Sequence, residues 1–351
     1  MDKLSDQRSS KQIAFWLLIG VGMIVVQVML GGITRLTESG LSITEWKPIT
    51  GALPPMNEMA WQVEFDKYKL TDQFRYVHQN FSLSDFKFIF FWEWFHRVWA
   101  RLMGVVFVVG FVYFLAKKKI NKNMIRPMLL LFLLGALQGA IGWLMVKSGL
   151  VPEKYFVGHV ELTTHFIAAL ALLCYTLWFA ISLLISDQKK IINPGLQKFL
   201  MLIMMLLVLQ LIYGGFMAGL KAAVVAPTWP DINGSIVPAS MNELSPWTSN
   251  LVSNPLTVHF IHRGLAYLLF ILIVGWWIRS RSITGNTLFK RLRVSVLILV
   301  LLQVILGICT VLNATYPNRL VFYGVAHQFV GMLLLISMVM LLYVVRKKPV
   351  S

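Results

Sequence analysis

The chain has 351 residues, of which 57% are hydrophobic and only 13% charged, with a mean hydropathy of +0.70 and a formal net charge of +17. A soluble domain carries about a quarter charged residues, so the composition excludes a conventional soluble enzyme, a nucleic-acid-binding module and a disordered chain. The apolar residues fall in runs that match the ~20 needed to cross a hydrocarbon core as a helix. Eight spans follow in chain order, near 12–33, 87–116, 127–146, 157–186, 197–220, 255–279, 292–314 and 320–345.

The basic residues sort themselves by side. Lys3, Arg8 and Lys11 precede the first span, Lys117, Lys118, Lys119, Lys122 and Arg126 join the second to the third, and Lys189, Lys190 and Lys198 join the fourth to the fifth. Arg279, Arg281, Lys290, Arg291, Arg293, Arg346, Lys347 and Lys348 continue on the same side. By the positive-inside rule that side is cytoplasmic, as are both termini of a multi-pass protein of the cell (inner) membrane. The charge is topological and calls for no nucleic acid. The first span runs into a polar loop without a small-residue cleavage site, so it is expected to be retained. Cys174 and Cys309 lie deep in spans, where thiols are ordinarily inert; neither a disulfide nor thiol chemistry is expected.

Two long connections lie on the outer side, at 34–86 and 221–254, each after a span that ends in a double glycine, Gly31-Gly32 and Gly214-Gly215. A shift of 183 residues superposes these glycines together with Gln27 on Gln210, Trp46 on Trp229, Ile49 on Ile232, Gly51 on Gly234 and Pro55 on Pro238. So many matches in one register mark an internal repeat. Every odd span also carries glutamine with glycine four residues on: Gln27/Gly31, Gln138/Gly142, Gln210/Gly214 and Gln303/Gly307. Residues four apart share a helix face. There a small residue lets a helix or a flat ligand approach, and an intramembrane amide seeks a polar partner. The expected fold is an all-α membrane protein whose eight helices form two pseudo-symmetric four-helix bundles, residues 1–190 and 191–351.

Four of the seven histidines make a pattern: His96, His165, His262 and His327 lie in spans two, four, six and eight, each eight to ten residues from its outer end. At 1.5 Å per residue they share a depth of ~12–15 Å. Two facing imidazoles in a four-helix bundle suit a haem iron. A di-metal carboxylate centre wants a Glu-x-x-His motif on each of two helices, and only Glu93-x-x-His96 satisfies that; zinc wants further ligands. A lone membrane histidine is more simply an interhelical hydrogen bond, but four in register favour two haem sites. His78 is expected to be solvated, His159 to face away from His165, and His259 to support His262 from one turn away.

Glu93 and Glu161 are the acidic residues within spans, where ionised burial is costly. Glu161 is expected to orient its histidine or pair with an arginine. Aligning His96 with His262 places His259 where Glu93 stands, so Glu93 distinguishes a half that performs chemistry from one that holds a haem. Arg35, Arg97, Arg101 and Arg263 cluster near the outer ends, where arginine either snorkels or binds propionates through charge-assisted contacts.

The stretch GGITRLTESGLSITEWKPITGALPP after span one, EWFHR at 93–97, FIHRGLAY at 260–267 and AHQ at 326–328 resemble the haem A synthase family over about residues 12–345. The resemblance implies an oxidoreductase that converts the C8 methyl of haem O to a formyl group, giving haem A for cytochrome oxidase biogenesis. It implies haem b on His262 and His327 with Arg263 nearby, and the haem O substrate on His96 and His165 with Arg35 and Arg97 nearby. Glu93 is implied to be catalytic. The implied partners are the lipid bilayer, haem O, the haem O synthase that supplies it and an electron acceptor, with self-association left open. Some members carry a cysteine pair in the first outer loop; none stands here. The alternative is a di-haem b-type electron-transfer cytochrome, disfavoured because such a carrier places its haems near opposite faces. A repeat-built transporter would show broken helices at mid-membrane.

Overall fold

A computed structural model describes residues 3–45 and 50–346. Trp46 and Ile49 of the repeat register, and Lys347 and Lys348 of the basic tail, lie outside the described residues. Among the described residues eight helices are long and apolar enough to span a membrane. They are α1 (Lys3–Leu36), α4 (Leu83–Ala116), α5 (Lys122–Gly149), α6 (His159–Leu184), α7 (Pro194–Gly219), α10 (Pro255–Ser280), α11 (Thr287–Leu312) and α12 (Pro317–Val344). The four short helices are α2 (Glu58–Lys69) and α3 (Asp72–Tyr76) in the first long connection, and α8 (Ala222–Val225) and α9 (Asn250–Ser253) in the second.

Local chemistry sets the starts. Asn121, Asn193, Asn254 and Asn286 each accept a backbone N–H in the first turn of α5, α7, α10 and α11, satisfying donors that a helix leaves orphaned. Ser82 and Asp85 form a reciprocal capping box on α4. Helix α5 begins five residues before the expected 127, because Asn121 caps it and Pro127 falls early enough to be carried. The first connection is also more ordered than expected. Phe65 and Tyr68 of α2 stack on Phe86 of α4, with ring centroids 5.1 and 5.3 Å apart, and build a small apolar cluster with Ile89 and Phe90.

The spans form two quartets with matching pairings. Helix α1 packs on α4 and α6, and α5 on α6; correspondingly α7 packs on α10 and α12, and α11 on α12. The quartets meet where α1 lies on α12 and α7 on α6, contacts that a two-fold relation would interchange. The match is not complete: α10 packs along α11, whereas α4 meets α5 through aromatic rings, Phe107 and Phe111 on Phe132 with centroids 4.6 and 5.3 Å apart. Near the end that carries both termini, the spans close on a dry core that includes Ile13, Leu173, Leu200, Ile273, Trp276, Phe289 and Met338. There the linker strand β1 (Ile191–Ile192) pairs in parallel with β2 (Val345–Arg346). Toward the end with the long connections, the packing opens into a cavity of about 1500 Å³.

Candidate functional site

The glutamine–glycine pairs and the histidines turn out to be one device, built four times. Gln27 Nε2 lies 2.9 Å from His96 Nε2, and Gln138 Nε2 lies 3.2 Å from His165 Nδ1. Gln210 Nε2 is 3.4 Å from His262 Nε2 and Gln303 Nε2 is 3.2 Å from His327 Nε2. Each odd span thus offers an amide to the histidine of the following even span. The glycine four residues on leaves room for that same ring. A Cβ would stand 3.4 Å from the His96 ring at Gly31, 2.8 Å from His165 at Gly142, 3.4 Å from His262 at Gly214 and 3.0 Å from His327 at Gly307. The second glycine of each pair serves the junction between halves. A Cβ at Gly32 would meet Gln328 of α12 at 2.1 Å, and one at Gly215 would meet Thr163 of α6 at 2.6 Å.

All four histidines line the cavity. The donor set is two pairs of imidazoles in an apolar chamber larger than the ~300–1,000 Å³ of ordinary ligand pockets. Among the described residues no three His, Cys, Asp or Glu converge on one point, which argues against zinc or a di-metal centre. Paired imidazoles with cleared space around each ring fit haem iron.

Glu93 lines the same cavity and is 2% exposed. Its Oε1 accepts from Arg97 Nη2 at 2.6 Å; its Oε2 accepts from Ser42 Oγ at 2.7 Å and from the Ile43 amide at 2.8 Å. Arg97 also donates to the Ile43 and Glu45 carbonyls. The carboxylate therefore ties the start of the first connection over the chamber. In the second half Arg263 Nε donates to His259 Nε2 at 2.9 Å, and the rest of the guanidinium donates to the carbonyls of Thr228, Pro230 and Asp231. Arg97 and Arg263 are equivalent loop anchors, and His259, fully buried, occupies the place of Glu93.

The chain matches the model of the cytochrome oxidase assembly protein family (COX15-CtaA) over residues 14–339. It is 39% identical to the heme A synthase of Flavobacterium psychrophilum, over 93% of this chain and 96% of that protein. It is 38% identical to the heme A synthase of Nitrosospira multiformis, over 94% of this chain and 93% of that protein, and 39% identical to that of Paracoccus denitrificans, over 93% and 86%. The chain belongs to this family.

The structure also gives partners to the remaining residues singled out in the sequence, and one of them, His78, departs from its expected place. Arg35 lines the chamber, and its Nη2 donates to the carbonyls of Ala218 and Gly219 at 2.8 and 3.1 Å, closing the end of α7. His78 is 6% exposed rather than solvated. Its Nδ1 lies 2.6 Å from the Tyr68 hydroxyl and its Nε2 3.3 Å from Glu38 Oε2. Glu38 in turn pairs with Lys221. Partners 183 residues apart, Arg35 with Ala218 and Glu38 with Lys221, meet where a two-fold axis between the halves would run. The hydrogen bond from His78, assisted by Lys221, holds the Glu38 carboxyl well below the usual carboxylate range, at about 2. Glu161 sits in the first turn of α6 beside Gly158, where its charge complements the helix N-terminus. His159 packs on Gly219 and Phe216 at the junction, away from His165 as expected. Glu38 and Lys221 escaped the sequence reading; their equivalent places in the repeat were the available signal.

Proposed function

We infer that this protein oxidises the C8 methyl group of haem O to a formyl group, so producing haem A for cytochrome oxidase. Family membership over nearly the whole chain supports that reading. The observation that carries the assignment of roles is the exchange of Glu93 for His259 between otherwise matching halves. His96 and His165 hold the haem O substrate in the first half, 1–190, and His262 and His327 hold haem b in the second, 191–351. A haem on the second pair supplies one-electron redox chemistry. The basic ends of the spans face the cytoplasm of a bacterial-type cell membrane, and the chamber opens toward the outer side.

The chain's own residues do the rest. The histidines orient the substrate ring, and the dry core at the terminal end keeps water from the chamber floor. Three of about four acceptor positions on the Glu93 carboxylate are taken by Arg97, Ser42 and the Ile43 amide. As electrons leave the methyl group for an electron acceptor outside this chain, the remaining lone pair would take up the proton released or stabilise positive charge developing on the carbon. Arg97 holds the carboxylate in place. Arg97 and Arg263 act on the haems through the loops they anchor, since their donors are turned to loop carbonyls.

The test is the haem composition of cells that depend on this chain for haem A. Mass analysis of extracted haems should give haem A with the native chain. Glu93→Gln should yield haem O or the hydroxymethyl species in its place, while absorption spectra still report haem in the protein. A di-haem electron carrier would leave haem O and haem A levels untouched in both cases.

A further inference from the structure

The four amides on the four histidines are not used by that reaction. A neutral imidazole has one N–H and one lone pair. A ring nitrogen that accepts a hydrogen bond has committed the lone pair that a metal would need. His327 shows the full arrangement. Its Nδ1 donates to the Gln303 carbonyl at 3.1 Å, and its Nε2 accepts from the Gln303 side-chain amide at 3.2 Å. One residue therefore fixes the tautomer whose Nε2 is free of hydrogen and holds that nitrogen at the same time. The carbonyl is reachable because Gly307 has no side chain to cover it: a Cβ there would stand 3.0 Å from the ring.

The same nitrogen is engaged at His96 by Gln27 and at His262 by Gln210. The amide is held only through its nitrogen, since the Oε1 atoms of Gln27, Gln210 and Gln303 are buried and have no hydrogen-bond partner. Gln210 and Gln303 give up little else when they swing away; Gln27 also releases the His96 carbonyl, to which its Nε2 donates at 3.2 Å. At His165 the engaged nitrogen differs: Gln138 meets Nδ1 and, as Gln27 does at His96, donates to the main-chain carbonyl of its histidine.

We propose that Gln27, Gln210 and Gln303 are placeholders for haem iron: each keeps the ligand nitrogen of its histidine satisfied and correctly protonated, and yields that nitrogen when haem binds. The proposal rests on the reading of these histidines as axial ligands. It makes the glutamines positioning residues that compete with the metal, so removing one weakens the haem-free protein and strengthens haem binding. Outer partners that merely support a ligand do the reverse, and their loss typically costs affinity.

The experiment uses the full chain carrying His96→Ala and His165→Ala, so that only the second pair is read. Haem-free protein from haem-depleted cells is titrated with haemin, and Soret absorbance gives the apparent Kd. Gln303→Met, which keeps the volume and removes the amide, should bind haemin on the order of fivefold more tightly, the weight of one net hydrogen bond. Its haem-free form should melt earlier, while its haem-loaded form should not. Gln303→Leu should do the same. Unchanged or weaker binding in both, with binding lost in His327→Ala, would overturn the placeholder role alone. Full haemin binding in His327→Ala would instead overturn the ligand assignment beneath it.

Discussion

The two halves of this molecule are built on one frame, and they differ where a substrate and a resident cofactor would make different demands. In the first half α4 meets α5 through Phe107 and Phe111 on Phe132; in the second their counterparts α10 and α11 pack along one another. Matching the histidines and glutamines sets Gly104 against Phe270, Gly135 against Val300 and Gly139 against Val304. A Cβ at any of these three glycines would meet nothing within 4 Å. Val300, by contrast, is buried in the core and Phe270 packs against it. The first half is also the charged one, with the Glu93–Arg97 pair where the second has His259–Arg263. A ligand that must arrive, react and leave needs an open wall and a group that acts on it. A haem that stays would need neither.

Alanine at His262 or His327 should abolish resident haem b, read by a pyridine haemochrome assay on inserted protein, while alanine at His96 or His165 should spare it. Equal haem b loss from both sets would erase the distinction between the halves. Glu93→Gln should lower haem A output by about 10²–10⁴-fold, the usual weight of a proton-handling group. His259→Gln should keep most of it, and comparable losses from the two would mean that the position matters only as an anchor for its arginine.

Giving the first half the wall of the second sharpens the contrast further. Gly135→Val with Gly139→Val should raise the haem O concentration needed for half-maximal turnover by roughly tenfold, given that overfilling a site costs about 1–3 kcal/mol. Haem b content should not change. Unaltered turnover would show that the opening beside α4 and α5 is not used.

The smallest effect concerns the junction. Glu38 has a folded pKa of about 2, below its ordinary value. Its contribution to stability is therefore complete above the ordinary carboxylate range and lost as pH falls toward 2. Comparing melting at pH 7 and pH 3 in detergent, Glu38→Gln should shrink the acid destabilisation by on the order of 1–2 kcal/mol, after allowance for solvent screening at a partly exposed pair. An identical acid dependence in the variant would show that Glu38, His78 and Lys221 do not couple the halves.

The spans, the duplication and the four-histidine register were legible in the sequence because each is a one-dimensional signal. Hydropathy runs set helix length, and a shift of 183 residues exposes a repeat without any knowledge of contacts. The pairing of Gln with His was half visible: the four-residue spacing to glycine marked a face, and burial of an amide in a membrane demanded a partner. Which partner was decided only when the spans packed, since the ring lies 24 to 69 residues away along the chain. The partners of the arginines were hidden for a related reason. Their long side chains reach whatever acceptor is nearest, and for Arg35, Arg97 and Arg263 that acceptor is a loop or helix-end carbonyl. His78 looked solvated because a polar loop gives no periodic signal, yet stacking of α2 on α4 buries it.

Composition and periodicity thus determined by themselves that the chain crosses a membrane eight times, that it repeats, and that it carries four imidazoles at one level. Those properties follow from the length of a hydrocarbon core and the pitch of a helix, which any apolar segment must obey. The tertiary structure alone decided that Glu93 is pinned by Arg97 and the first connection, that the halves lock through Arg35, Glu38 and Lys221, and that the glycines of one chamber wall face free space while their counterparts in the other are packed. These depend on side chains from distant segments converging within about 3 Å, and no local pattern encodes that convergence.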